Sequence, residues 1–157
     1  DWHNMYASHR GVDEVDRGQY DQVEATPFVT GCSMMISRRT LEHIGLLDPK
    51  YFLYLEDLDL CTRAARVGLK NLYYPKSIVW HVNAGSSGGA GNVLHEYYQT
   101  RNRLLFGMRY APIRTKFALV REAYRFLISG SSIKRRAVFD AMLSKFGNQY
   151  EPKKINH

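Results

Sequence analysis

The run YFLYLEDLDLCTRA, residues 51–64, passes from an aromatic, apolar approach to an acidic opening and then to helical spacing. Leu60, Ala64 and Val67 recur at i, i+4 and i+7, which puts them on one face of a helix from Glu56 to Val67. The ends of the segment agree with this. Glu56, Asp57 and Asp59 fall in the first turn and Arg63 and Arg66 near the last, each complementing the helix dipole. Gly68 then supplies the stop. Such a chain must hold two adjacent carboxylates at the mouth of a helix, beside apolar surface. Helix chemistry alone accounts for acidic residues there. A carboxylate so placed can also serve as a catalytic base.

The rest of the chain reads as mixed α/β. Residues 1–26 are polar and broken by Gly11 and Gly18, which predicts loop with at most a short element. Cys32–Ile36 has the composition of a buried strand. Ser37 suits the N-cap of a short helix to Ile44, with Gly45 as its stop. Residues 71–74 and 77–82 are expected as two short strands separated by Pro75. Residues 83–91 are rich in Gly and Ser, and three uses compete: a phosphate cradle, a mobile loop over an active site and a plain linker. The active-site loop is favoured. Three helices are then expected, over 93–108, 113–128 and 133–146, with Pro112 as a break. In the second, Phe117, Val120, Tyr124 and Leu127 share a side, and Lys116, Arg121 and Arg125 lie on the other. The third begins with Lys134, Arg135 and Arg136.

Composition narrows the classes. A chain of 157 residues suffices for one domain with a core. Cys32 and Cys61 are too few for a disulfide scaffold, and no apolar run approaches the ~18 residues of a membrane span. The charge is uneven. Residues 1–100 carry 9 Lys/Arg against 12 Asp/Glu, whereas residues 101–157 carry 13 against 3. The basic tail suits anionic lipid, nucleic acid or a solvated helix face. Against nucleic acid, the sequence has no zinc-ligand spacing and no RNA-recognition signature. Against glycoside hydrolysis, Glu56 and Asp57 are adjacent, whereas hydrolase carboxylates must flank the scissile bond.

Several segments in order carry a resemblance: Arg17-Gly-Gln-Tyr-Asp21, Thr30-Gly31-Cys-Ser-Met-Met-Ile-Ser-Arg-Arg, Leu47-Asp48 and Tyr51-Phe-Leu-Tyr-Leu-Glu-Asp-Leu-Asp-Leu-Cys61. They continue with Ala64-Ala-Arg-Val-Gly68, Tyr74-Pro75, Val79-Trp-His81, Tyr97-Tyr98 and Arg101-Asn-Arg103. Over residues 10–110 this resembles the acceptor-side half of family 2 glycosyltransferases, inverting enzymes of the GT-A fold, and especially their rhamnosyltransferase-like branch. The resemblance implies the C-terminal half of a GT-A fold over residues 1–110, a short mixed sheet with flanking helices, followed by a basic helical extension over 111–157. It implies a fragment, because the family's nucleotide-binding half, with its Asp-x-Asp metal motif, would come first. Asp57-Leu58-Asp59 is not that motif; by order along the chain it matches the family's Glu-Asp motif.

That match gives Asp57 the role of base and lets Glu56 shape the acceptor site. Asp59 caps or orients there, and Thr30 and Gly31 form a turn lining the acceptor pocket. Trp80 is a candidate platform for a sugar ring, with an ordinary core position as its alternative. Arg101 is chosen over Arg103 as counter-charge for a diphosphate. The resemblance makes His81 a single ligand to a divalent metal, Mn or Mg, held mostly by the absent half. The expected partners are a nucleotide-sugar donor, a glycan or lipid-linked acceptor of envelope polysaccharide synthesis, an anionic membrane surface and a second copy of the chain, but no nucleic acid. The expected location is cytoplasmic, peripheral on the inner face of the membrane. A non-catalytic membrane-docking or binding module is the competing function.

Overall fold

Ser37 opens the first helix by the chemistry its hydroxyl allows. In the computed structural model, which describes residues 2, 7–8, 10–80 and 92–150, Ser37 Oγ accepts the Thr40 N–H at 3.0 Å. Helix α1 spans Arg38–Ile44, and the Gly45 N–H closes it on Leu41 O at 2.8 Å. Helix α2 spans Glu56–Arg66. It ends in a Schellman motif: the Gly68 N–H bonds Ala65 O at 3.1 Å and the Leu69 N–H bonds Ala64 O at 3.0 Å. Gly68 has φ of 81° there. A Cβ at this position would meet nothing within 4 Å, so Gly68→Ala carries only the cost of a left-handed backbone. Urea unfolding is expected to show a loss of about 1 kcal/mol with an unchanged slope.

The described residues fall into two units, one of residues 7–8, 10–48 and 56–80, the other of Trp2 and residues 49–55 and 92–150. In the first, β1 (Glu24–Ala25) and β2 (Leu72–Tyr73) pair antiparallel, with Glu24 opposite Tyr73 and Ala25 opposite Leu72. The Asn71 carboxamide donates to Pro27 O and Cys61 O, each at 3.2 Å, and so ties the ladder to α2. Leu60, Cys61 and Ala64 form the buried face of α2. Buried Asp59 accepts from Arg63 Nε at 2.8 Å. The same guanidinium donates to Ile44 O and, at 2.8 Å, to Leu46 O. One arginine therefore satisfies carbonyls left open at the end of α1 and joins α1 to α2.

The second unit is helical: α3 (Val93–Tyr110), α4 (Ile113–Ser129) and α5 (Ser132–Met142). Asn92 and Ser131 cap α3 and α5 by accepting from His95 N at 2.9 Å and Lys134 N at 3.1 Å. Tyr97, Tyr98 and Ala137 form the core, with Leu94, Ile133 and Tyr150 packed against it. The Tyr97 hydroxyl donates to Asp140 Oδ2 at 2.6 Å and the Tyr98 hydroxyl to Asn148 Oδ1 at 3.0 Å. Burial, then the Asp140 carboxylate, pushes the Tyr97 phenol far above its ordinary pKa.

Two sequence expectations change. The mixed sheet is only two-stranded among the described residues, and the protein is mostly helical. Cys32–Ile36 is not a strand: residues Gly31–Ser33 make a 3₁₀ turn and Met35 is 100% exposed. An apolar run becomes a strand only where a ladder partner satisfies its backbone, and none of the described residues pairs with it. Residues 77–80 likewise form no strand, and the rest of that expected strand lies outside the described residues. The helix starts, by contrast, follow their caps closely, whereas α5 stops at Met142, short of the expected Phe146.

Candidate active site

Asp57 stands in the first turn of α2, where helix N–H groups lack intrahelical partners. Its Oδ1 accepts the Leu58 N–H at 2.7 Å and its Oδ2 accepts the Gly31 N–H at 2.8 Å. The second bond joins residues 26 positions apart in sequence. The 3₁₀ turn at Gly31–Ser33 therefore sits on the carboxylate and fixes its orientation. A Cβ on Gly31 would lie 3.6 Å from Asp57 Cβ and Oδ2, so the approach is close without being exclusive to glycine. Thr30, half-buried, shares the turn, and its Oγ1 lies 3.5 Å from Cys32 Sγ. Thr30, Gly31 and Asp57 thus come together.

Glu56 precedes Asp57 directly. Its Oε2 is buried and makes no hydrogen bond. Burial raises the pKa of this carboxyl above its ordinary value of 4.5, and the neighbouring Asp57 charge adds to the rise. A carboxyl raised on folding binds its proton more tightly in the native state. Its contribution to stability is therefore full below 4.5 and is lost as pH rises through the folded value. Glu56→Gln is expected to flatten that acid-to-neutral decline in thermal melts. An unchanged pH slope would show that Glu56 has the same affinity for protons folded and unfolded.

The other sequence candidates separate. Asp59 is fully buried in its ion pair with Arg63, turned into the first unit. Trp80 is 96% exposed, so it is no core residue and keeps its indole face open. His81 and residues 83–91 lie outside the described residues. Arg101 is 0% exposed in the second unit. Its Nη1 donates to Gly147 O at 2.7 Å, its Nη2 to Lys50 O at 3.0 Å and Tyr51 O at 2.9 Å, and its Nε to Asn102 Oδ1 at 3.0 Å. The guanidinium also lies over the Tyr98 ring, 4.8 Å from its centroid. A diphosphate would have to displace those carbonyls to reach it. Arg103, the alternative, holds Glu122 at 2.6 Å.

Sequence reasoning missed Asn102. Its carboxamide nitrogen sits 2.9, 2.7 and 2.8 Å from the carbonyl oxygens of Tyr51, Leu53 and Tyr54. Those carbonyls belong to a segment with unusual backbone: Phe52, Tyr54 and Leu55 have φ of 62°, 68° and 70°. Left-handed non-glycine residues cost energy and persist where surrounding structure holds them. Arg101 and Asn102 do the holding. The aromatic run was visible in the sequence; its partners some 50 positions later were not.

A cleft of about 1180 Å³ in the first unit is bordered by Thr30 and Gly31 but not by Glu56 or Asp57. Phe28, Val29, Ile36, Leu60 and Leu72 make much of its wall apolar, which suits packing better than a polar sugar. Among the described residues no three His, Cys, Asp or Glu side chains gather as a metal site.

Comparison with known proteins adds the family context. The model of a family described as "Glycosyltransferase like family 2" matches residues 2–107. Two curated relatives are N-acetylglucosaminyl-diphospho-decaprenol L-rhamnosyltransferases from Mycobacterium tuberculosis, strains CDC 1551 / Oshkosh and ATCC 25618 / H37Rv. Each is 33% identical over 61 residues, a stretch covering 39% of this chain and 20% of the relative. No solved structure gives a significant match.

Proposed function

This chain belongs to glycosyltransferase-like family 2, and from that premise we propose that it supplies the acceptor side of an inverting sugar transfer. The donor is a nucleoside-diphosphate sugar and the acceptor a hydroxyl of a glycan or lipid-linked glycan. Asp57 takes the acceptor proton as the oxygen attacks the anomeric carbon. The bond from that carbon to the diphosphate breaks, and the nucleoside diphosphate leaves with the electron pair. A carboxylate is a weak base toward an alcohol, so proton removal accompanies attack and positioning governs the rate.

The observation that supports this most directly is the orientation of Asp57 by two backbone N–H groups, one from the Gly31 turn. Thr30 and Gly31 then line the acceptor, Glu56 borders it, and exposed Trp80 offers an aromatic face to a sugar. Asp59, buried against Arg63, orients α2 rather than touching the acceptor. The activity for which the relatives are named makes rhamnose the first donor sugar to try and polyprenyl diphosphate-linked N-acetylglucosamine the first acceptor. Since the matched stretch covers 20% of those relatives, turnover is assigned to the intact protein.

The test is nucleoside-diphosphate release from a panel of sugar nucleotides by the intact protein, with and without acceptor, compared with Asp57→Asn. Acceptor-dependent release that the variant abolishes supports the reading. Equal release by both proteins removes Asp57 from the chemistry.

A further inference from the structure

We propose that the outer face of α4 is a docking surface for an anionic lipid bilayer. Ile113, Phe117, Val120, Tyr124 and Ile128 recur at steps of three and four and form one stripe along the helix. All five are exposed, between 55% and 70%. The sequence pattern alone suggested that an apolar side of this helix could pack inward. Instead Thr115 and Leu119, on a different side, are buried. A stripe of five large apolar side chains turned outward is unusual for a surface helix, whose apolar face normally meets the core.

Charge identifies the occupant. At 100° per residue, Arg114, Arg121 and Arg125 lie along one flank of the stripe, about 60–100° round from its centre, and Lys116 lies on the other. None of these four cations has a carboxylate partner among the described residues, and the one acidic residue of α4, Glu122, is held by Arg103 at 2.6 Å. A helix lying in the bilayer interface needs this arrangement: apolar groups enter the acyl boundary while long cationic side chains reach the phosphates beside it. A second copy fits less well, because two-fold pairing sets like surfaces against each other and so crowds arginine flanks. Nucleic acid would satisfy the cations but leave the stripe in water. No helix of the described residues is long and apolar enough to cross a membrane, so the contact is along the surface.

The experiment is co-sedimentation of the 157-residue chain with vesicles of phosphatidylcholine alone and of phosphatidylcholine mixed with phosphatidylglycerol. The chain is expected to sediment with the mixed vesicles and stay in solution with the neutral ones. Arg121→Gln with Arg125→Gln is expected to weaken partitioning about 30-fold, from roughly 1 kcal/mol per cation near the surface. Phe117→Ser with Tyr124→Ser is expected to weaken it at least about tenfold. All four side chains are at least partly open to solvent, so helix content by circular dichroism stays the same and loss of binding is not loss of fold. Equal sedimentation with both vesicle types overturns the proposal, as does binding that survives both double variants or no binding at all. A dimer that the Phe117 and Tyr124 changes dissolve, without vesicle binding, overturns it in favour of a second copy.

Discussion

Asp57→Asn in the intact protein is expected to lower turnover by about 10²–10⁴-fold, the usual range for removing a positioned general base. Nucleotide-sugar binding should survive, since Asp57 is assigned to the acceptor. The substitution also has a structural cost that must be separated from the chemical one. Each carboxylate oxygen accepts one backbone N–H, from Gly31 and from Leu58. An asparagine has a single acceptor oxygen, so one of these N–H groups would face an amide NH₂. The expected loss is about 1 kcal/mol, small beside the loss of rate. Donor binding by calorimetry and melting temperature measured beside turnover distinguish the cases. A variant that binds donor, melts a few degrees lower and does not turn over fits a base. One that loses donor binding and turnover together places Asp57 elsewhere in the mechanism.

Arg101→Ala has the second large expected effect, on stability. Truncation would remove the Arg101 donors from the carbonyls of Gly147, Lys50 and Tyr51, leaving Lys50 O the Gly147 N–H and Tyr51 O the Asn102 carboxamide and the Leu53 N–H, in a region where Arg101 itself is wholly buried. A loss of about 3–5 kcal/mol is expected in urea unfolding, the scale for removing one member of a buried charged network. Arg101→Lys should rescue little. The planar fork reaches three carbonyls and the Asn102 side chain at once, which a single ammonium on a flexible stem does not reproduce. The same variant decides between two roles. Diphosphate binding predicts a stable protein with weakened donor affinity; the buried clamp predicts an unstable one. Retained stability with lost donor affinity would restore Arg101 to the diphosphate.

How far the sequence carried depended on how local each cause was. Helix α2 was legible because its dipole charges, apolar spacing and Gly68 stop lie within one stretch. Ser37, Gly45 and Pro112 marked boundaries for the same reason. Cys32–Ile36 misled because apolar composition is a property of the segment, whereas strand pairing is a property of its neighbours. The apolar stripe of α4 was visible, but periodicity does not say which way a helix is turned; Leu119 and Thr115 decided that through packing with the rest of the second unit. The pairing of Glu56 and Asp57 at a helix mouth was in the sequence. The Gly31 N–H that orients Asp57 was not, because it comes from 26 positions away. Asn102 was hidden in the same way, since its partners are backbone oxygens, which every residue possesses.

The clamp on residues 50–55 sets an order on the chain's emergence during synthesis. Lys50, Tyr51, Leu53 and Tyr54 are translated first, and their carbonyls find side-chain donors only when Arg101 and Asn102 arrive about 50 residues later. Gly147 follows last: its N–H bonds Lys50 O at 2.8 Å, and its carbonyl receives Arg101. A nascent chain cut short before that glycine holds residues 50–55 with only part of the bracing that keeps Phe52, Tyr54 and Leu55 in left-handed backbone.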